Sequence, residues 1–400
     1  MRLLFAHDHR FSRGPRGEVY TAGSFPASAW DRFLGHFEEV HVIGRDGGPM
    51  AEGLQLARSD RDGVTFDFLP SLGSLRQLLM GAPEARERML SAVESADAVV
   101  ARLPSEIGLL AVKLARELGK PYAVEVAGCA WDSYRTHGAP AARLYAALAY
   151  GRARAAIARA PFALYVTDSW LQGRYPSQGR SISASNVAIR RMDKAGAGRR
   201  ARRLTKLESG EPPVLGTIGT LWTKYKGLQT AIEAVARIRS SGLDLHYRIL
   251  GPGPSEPWRD LARKHGVADL VHFDGTRSAG ADVCGWLDEI DIYLQPSLTE
   301  GLPRGMIEAM SRGAACVGST RGGIPELIPP ERLHRAGNVA ELARLVRELA
   351  TDPARVAAAS AADRVTARRF EDEILSKRRS DLYGALRKEA ERHARQGRGR

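Results

Sequence analysis

The sequence predicts an α/β protein built on two doubly wound parallel sheets, and three observations carry that prediction. Short β-branched or apolar runs alternate with longer helical patterns along the whole chain, the signature of parallel α/β architecture. The rhythm halts in a basic stretch that ends at Pro212-Pro213, and then restarts. At 400 residues the chain exceeds what one core usually organises, so two domains of roughly 150–200 residues each are expected.

In the first half the expected strands are RLLFA (2–6), VHVIG (40–44), VTFDFL (64–69), DAVVAR (97–102), YAVEV (122–126) and FALYVT (162–167). Between them, LLAVKLARELG (109–119) reads as an amphipathic helix that ends in Gly119 as a cap, with Lys120-Pro121 as the stop. AARLYAALAYGRARAAIARA (141–160) also reads as a helix, basic and amphipathic. At about 100° per residue, Arg143 and Arg154 point one way and Arg152 and Arg159 nearly the opposite way. Its charges therefore share no face, and its membrane signal is weak.

The second half repeats the pattern with PVLGTIG (213–219), LHYRILG (245–251), LVHF (270–273), DIYLQPS (291–297) and AACVGS (314–319). GLQTAIEAVARIRSSG (227–242) and GMIEAMSRG (305–313) are its helices, and RRFEDEILSKRRSDLYGALRKEA (368–390) reads as a long terminal one. The expected organisation is a Rossmann-like domain at 1–187, a basic linker at 188–210, a second Rossmann-like domain at 211–364, a terminal helix at 365–390 and a basic tail at 391–400.

A net charge of +13 first suggests nucleic acid or an anionic membrane. Residues 190–206 carry eight Lys/Arg and one Asp (+7), and residues 387–400 carry six Lys/Arg and two Glu (+4), so two segments hold 11 of the 13 charges. Neither interleaves aromatics for base stacking, and both read as solvated linker or tail. No specific nucleic-acid partner is expected; docking on an anionic bilayer is the functional alternative. The three cysteines, Cys129, Cys284 and Cys316, are far apart with no CxxC pair, against both a disulfide framework and a zinc knuckle. MRLLFAHDHRF turns polar after five residues, short of a signal peptide, and no apolar run reaches membrane-span length. A cytoplasmic protein is expected, peripheral at the inner face of the cytoplasmic membrane if the basic segments dock there.

The chemistry concentrates in PSLTEGLPRGMIEAM (296–310). Pro303 suits the first position of a helix, and a helix start with glycines for close approach and Arg304 beside it makes an anion site, most naturally for phosphate. Glu300 lies before the helix and Glu308 near its second turn, too far apart for an adjacent acid/base pair. They suit hydroxyls on opposite sides of a bound phosphate; the bland alternative is one helix cap and one solvated glutamate.

DIYLQPSLTEGLPRGMIEAMSRGAACVGSTRGGIPELI resembles the glutamate-x7-glutamate signature of retaining GT-B glycosyltransferases, in particular family four (the group 1 family) and its bacterial capsule, exopolysaccharide and O-antigen enzymes. The resemblance covers both glutamates and the Gly-Gly-Ile-Pro-Glu at 322–326. It implies two Rossmann-like domains facing across a cleft, with the terminal helix crossing back to the first. The implied reaction is transfer of a hexose from a UDP- or GDP-sugar to a glycan or lipid-linked acceptor in polysaccharide biosynthesis. Glu300 would contact the transferred sugar, Glu308 the ribose, and the backbone of Gly301, Leu302, Pro303, Arg304 and Gly305 the sugar and diphosphate.

GTIGTLWTKYKG (216–227) resembles the family's Gly-Arg-Leu…Lys-Gly segment, which implies that Gly219, Thr220 and Lys226 line the diphosphate, with Lys226 neutralising it as the bond breaks. Thr220 stands where the family's arginine does, which leaves Lys224, Arg277 or Arg304 to supply charge. RILGPGP (248–254) resembles the family's Gly-x-Gly-Pro turn, and Arg277 in HFDGTRSAG (272–280) falls where base or phosphate is read. On the acceptor side the expected residues are Asp8 and His9 in HDHRFSRGPRGEVYTAG and Arg102 in ARLPSE, Arg102 alternatively being a salt-bridged rim residue. Ala127 or Gly128 occupies the place of a histidine found in many family members. Residues His7, Asp8 and His9 alternate in direction on an extended segment, which argues against a metal cluster, and no Asp-x-Asp forms a metal-nucleotide motif. No cofactor and a metal-independent mechanism are expected. A GT-B sugar phosphorylase or nucleotide-sugar epimerase shares the architecture, and a non-catalytic glycan-binding or basic nucleic-acid-binding module would use the charge; the paired glutamates favour transfer.

Overall fold

The computed structural model describes residues 1–50, 56–69, 75–136, 140–187, 189–278 and 280–398. Residue 188 of the expected linker, Ala279 in the loop carrying Arg277, and residues 399–400 of the expected tail lie outside the described residues. The chain divides into two units: unit 1 comprises 1–166, 171–184 and 376–400, and unit 2 comprises 167–170 and 185–375.

Unit 1 holds β1 (Arg2–Arg13), β2 (Val19–Thr21), β3 (Glu39–Pro49), β4 (Ala57–Arg58), β5 (Val64–Leu69), β6 (Ala98–Leu103), β7 (Tyr122–Val126), β8 (Phe162–Tyr165) and β9 (Arg180–Ser183). Its parallel strands run in the order β5-β3-β1-β6-β7-β8-β9. The core strands read as unbroken apolar runs because both faces are covered; Tyr122–Val126 is buried at every position. β1 continues well past residue 6, because Phe11–Arg13 pairs antiparallel with β2. The helix Glu106–Glu117 ends near Gly119, which at φ 65° takes the left-handed conformation that ends helices. From residue 376 onward the terminal helix Asp372–Arg398 belongs to unit 1, where Leu382, Tyr383 and Leu386 are fully buried at helical spacing.

Unit 2 holds β10 (Val214–Ile218), β11 (His246–Leu250), β12 (Val271–Phe273), β13 (Ile292–Gln295), β14 (Ala315–Ser319) and β15 (Leu333–His334). All are parallel, in the order β12-β11-β10-β13-β14-β15. This is the doubly wound order 3-2-1-4-5-6, which reverses direction between its first and fourth strands. Leu215, Ile249, Ile292, Leu294 and Val317 from the sheet pack with Ile232, Val235, Leu342 and Val346 from the helices to form the core.

The basic stretch expected as a solvated linker is instead the helix Lys194–Glu208 of unit 2, capped by Asp193, whose side chain accepts from the Gly196 amide. Its arginines at 199, 200 and 203 share one helical face. Arg199 meets Asp288 at 2.6 Å, and Arg203 donates to Asp291 at 3.1 Å. Arg200, 3% exposed, donates to the carbonyls of Arg312, Leu287 and Ile290. Much of this segment's charge therefore meets internal partners, which corrects its reading as a solvated linker.

Candidate functional site

In an open parallel sheet the ligand crevice lies at the carboxyl ends of the strands where the strand order reverses. In unit 2 that point falls between β10 and β13, whose following loops carry Lys226 and Glu300. Gly227 draws the two loops together. It sits at φ 76°, and a Cβ there would lie 2.0 Å from the Pro296 carbonyl oxygen, so only glycine permits the approach. The Leu298 amide also donates to the Tyr225 carbonyl at 2.7 Å. As a result Lys226 Nζ lies 2.8 Å from Glu300 Oε2, both side chains less than one-fifth exposed. Gly219 and Thr220 line the start of the same loop; Gly219 donates to the Leu250 carbonyl, and the Thr220 hydroxyl caps the Trp222 amide.

Glu300 is held by more than Lys226. Its Oε2 also accepts from Ser297 Oγ at 3.0 Å and Gln295 Nε2 at 3.2 Å. Gln295 donates to Ser297 as well, and Tyr293, two residues back, contacts Gln295 Oε1 through its hydroxyl. Tyr293, Gln295 and Ser297 alternate along an extended segment and so point to one side of it. The motif alone does not single them out, although polar groups at two-residue spacing leading to Glu300 were the available signal.

Glu308 presents the opposite case. It is on the helix Arg304–Ser311, with Pro303 as the N-cap rather than the first helical residue. Pro303 has no side-chain donor or acceptor, so it cannot cap the first amides of this helix. The Glu308 carboxyl is partly buried and makes no hydrogen bond or ion pair among the described residues. Burial raises its pKa above the usual carboxylate value, with the charge of Arg304 pulling it down. Arg277 and Arg304 are exposed and form no ion pair among the described residues. Leu302 and Pro303 are buried, whereas Gly301 and Gly305 are half-buried.

The turn after β14 fixes the Glu300 loop from behind. The Gly323 amide donates to the Gly301 carbonyl at 2.6 Å, and a Cβ on Gly322, itself at φ 61°, would lie 2.1 Å from the Glu300 carbonyl oxygen. Glu326 ends this turn, and its carboxylate accepts from the amides of Asp168 (2.6 Å), Ser169 (2.9 Å) and Trp170 (2.5 Å). Beside it, Asp168, Ser169, Trp170, Thr320 and Arg369 line a cavity of about 450 Å³ within unit 2.

The acceptor-side candidates occupy the corresponding point of unit 1, between β1 and β6. Asp8 is engaged in structure: its carboxylate accepts from the amides of Glu106 (2.8 Å) and Ile107 (3.2 Å) and pairs with Arg45 at 3.0 Å. His9 lies 2.6 Å from the Thr21 hydroxyl; burial and the charge of Arg102 lower its pKa to about 4. His7 is lowered to about 3 by burial and Arg102, so both imidazoles are neutral at neutral pH. Arg102 is no rim residue. Its guanidinium pairs with the buried Glu125 at 3.0 Å and lies over the Phe25 ring. Burial alone would raise the Glu125 pKa; Arg32, Arg102 and a hydrogen bond from Tyr383 instead hold it at about 2. Ala127 follows β7, its amide donating to the Leu103 carbonyl.

Unit 2 is thus a doubly wound α/β unit whose switch-point loops set a Lys–Glu pair beside a helix start that has no side-chain cap. Residues 212–352 match the family model for glycosyl transferases, group 1. The chain is 28% identical over 348 residues to protein CapJ of Staphylococcus aureus, covering 86% of this chain and 85% of CapJ. Its fold is similar to that of sucrose-phosphate synthase from Thermosynechococcus elongatus (TM-score 0.68, 16% identity, covering 96% and 98% of the two chains). It is also similar to Anabaena Alr3699/HepE in complex with UDP (TM-score 0.65, 17% identity, covering 96% and 100%). The fold is GT-B, and the match to the group 1 glycosyl transferases falls within unit 2. No helix among the described residues is long and apolar enough to cross a membrane.

Proposed function

We propose that this glycosyltransferase is a retaining enzyme that moves a hexose from a UDP- or GDP-sugar to the hydroxyl of a glycan or lipid-linked acceptor in polysaccharide biosynthesis. The observation that carries the proposal is the unlike state of the two glutamates in one loop. Glu300 is held by Lys226, Ser297 and Gln295 at a fixed point, whereas Glu308 is a partly buried carboxyl with no donor among the described residues. A carboxylate lacking donors suits a ribose diol, which supplies two O–H groups. The Lys226 ammonium has three protons, so it can keep Glu300 and still donate to a diphosphate. Negative charge grows on the leaving diphosphate as the glycosidic bond breaks, and Lys226 with the open amides near Arg304 and Gly305 would stabilise it. Thr220, Gly219 and Arg277 complete the donor side, and Asp8, His9 and Arg102 remain the acceptor-side candidates of unit 1. The GT-B relative crystallised with UDP supports a nucleotide donor.

The test is a panel of UDP- and GDP-hexoses assayed by release of nucleoside diphosphate and by NMR of the product anomer, with and without EDTA. The expected result is turnover of at least one donor with retained α configuration, insensitive to EDTA. It should fall by about 10²–10³-fold in Glu300→Gln. Turnover of no donor, or an inverted product, would contradict the proposal.

A further inference from the structure

The cavity of about 450 Å³ in unit 2 has no part in the donor-side chemistry. Every residue that lines it belongs to unit 2, and its volume falls in the range of small-molecule sites, about 300–1,000 Å³. Thr320, Gly322 and Glu326 of the turn after β14 form one wall; Asp168, Ser169 and Trp170, with Arg369, form the other. Glu326 fixes that second wall, because its carboxylate takes the amides of Asp168, Ser169 and Trp170 and also the Ser169 hydroxyl at 3.0 Å. Those amides are therefore occupied and offer nothing to an anion.

The other lining groups remain available. Asp168 and Arg369 are exposed and lie 3.7 Å apart, too far for a direct hydrogen bond. Arg369 donates once to the Glu326 carbonyl at 3.1 Å and has further N–H groups to give. The Asp168 carboxylate and the Thr320 hydroxyl have no hydrogen-bond partner among the described residues. Trp170, half-buried, adds an aromatic surface. A phosphate here would meet the carboxylates of Asp168 and Glu326, and a bare cation would meet Arg369. Among the described residues no group of three or more His, Cys, Asp or Glu could hold a metal. An uncharged ring with hydroxyls at its rim satisfies the whole set. Its C–H face meets the negative face of the indole, while its hydroxyls donate to Asp168 and accept from Arg369 and Thr320.

We infer that this cavity is a saccharide subsite that takes one pyranose ring of the acceptor against Trp170, with Asp168, Arg369 and Thr320 on its hydroxyls. As a saccharide site it rests on the transfer reaction proposed above. Lys226, Arg304 and Glu308 are not among the lining residues, so nothing in the cavity serves a nucleotide, and the ring is taken without one. Its place in unit 2 gives the subsite a bearing on the reaction. Gly322 is both part of the wall and the glycine whose missing side chain admits the Glu300 carbonyl, and the Gly323 amide holds the Gly301 carbonyl. A ring in the cavity therefore lies against the same turn that backs the Glu300 loop.

The test is saturation-transfer difference NMR of the full chain with the methyl α-glycosides of glucose, galactose and mannose. Asp168→Ala, Thr320→Ala and Trp170→Ala are compared with the wild type, with thermal melts to confirm folding and UDP and GDP titrations as a separate arm. The expected result is transfer to the ring C–H protons of at least one glycoside. Asp168→Ala and Trp170→Ala should each weaken that binding about tenfold or more, and Thr320→Ala about threefold or more, with nucleotide affinity within about twofold of the wild type. Glycoside binding that depends on Asp168 supports the subsite even where neither UDP nor GDP binds, an outcome that counts against the transfer reading alone. The inference is overturned if no glycoside shows transfer, or if folded Asp168→Ala binds glycosides like the wild type. Glycoside signals that UDP or GDP displaces would overturn it in favour of the donor's own sugar site.

Discussion

The two units share the same central strand order yet treat the helix start at their switch points in opposite ways. In unit 1 the helix Glu106–Glu117 is capped by the Ser105 hydroxyl, which accepts from the Gly108 amide, and by the Asp8 carboxylate, which takes the amides of Glu106 and Ile107. In unit 2 the helix Arg304–Ser311 starts at a proline with no side-chain cap, and the glutamate on its second turn has no donor among the described residues. One unit meets the amides of its helix start with its own carboxylate; in the other no side chain caps them. A strand order thus says where a site can form, and the capping residues decide whether it is used.

The largest effect should come from breaking the self-satisfied side. Glu125→Ala removes the buried carboxylate that Arg32 and Arg102 share and should cost about 3–5 kcal/mol. Hydrogen exchange of the 122–126 peptide should lose protection while peptides around 292–295 keep theirs. Equal loss in both would mean that the units do not differ in this way.

In unit 2 the corresponding test disturbs position rather than stability. Gly322→Ala drives a Cβ against the Glu300 carbonyl and forces the loop to shift, which should lower turnover about 10²-fold while nucleotide affinity changes little. Turnover near wild type would show that the Glu300 loop is not held from behind by this turn.

A smaller contrast lies in pH dependence. His7 and His9 have folded pKa values of about 3 and about 4, below the usual 6.5, so the folded state binds fewer protons than the unfolded state between those values. Their stabilising contribution is complete above pH 6.5 and is lost as pH falls toward 3. Glu125, at about 2 against 4.5, adds a loss that begins below pH 4.5. Glu308 is shifted upward, so its unfavourable burial is relieved as pH falls. Protection factors corrected for intrinsic exchange should decline first in unit 1, between about pH 6 and pH 4. Earlier loss in unit 2 would contradict these directions.

Much of this was legible in the chain. Parallel strands covered on both faces read as continuous apolar runs, which is why VLGTI and YAVEV stand out, while the short edge strands RSIS and LH carry no such signal. Lys226, Glu300 and Glu308 were visible as a motif. What the sequence could not display is pairing across long separations: the Asp8 carboxylate meets an amide 98 residues away, and Arg203 meets Asp291 88 residues away. The first gives an acceptor-side candidate a second task as a helix cap, and the second turns an apparent linker into a packed helix. Both are tertiary partnerships that composition and periodicity do not encode.

The central claim is that unit 2 binds a nucleoside diphosphate with Glu308, while Glu300 serves the sugar. Calorimetric titration of UDP and GDP into the wild type, Glu308→Gln and Glu300→Gln tests it most directly. One nucleotide should bind the wild type, Glu308→Gln should weaken it about tenfold or more through loss of a charged acceptor, and Glu300→Gln should stay within about threefold. Binding of neither nucleotide, or equal weakening by both substitutions, would contradict it.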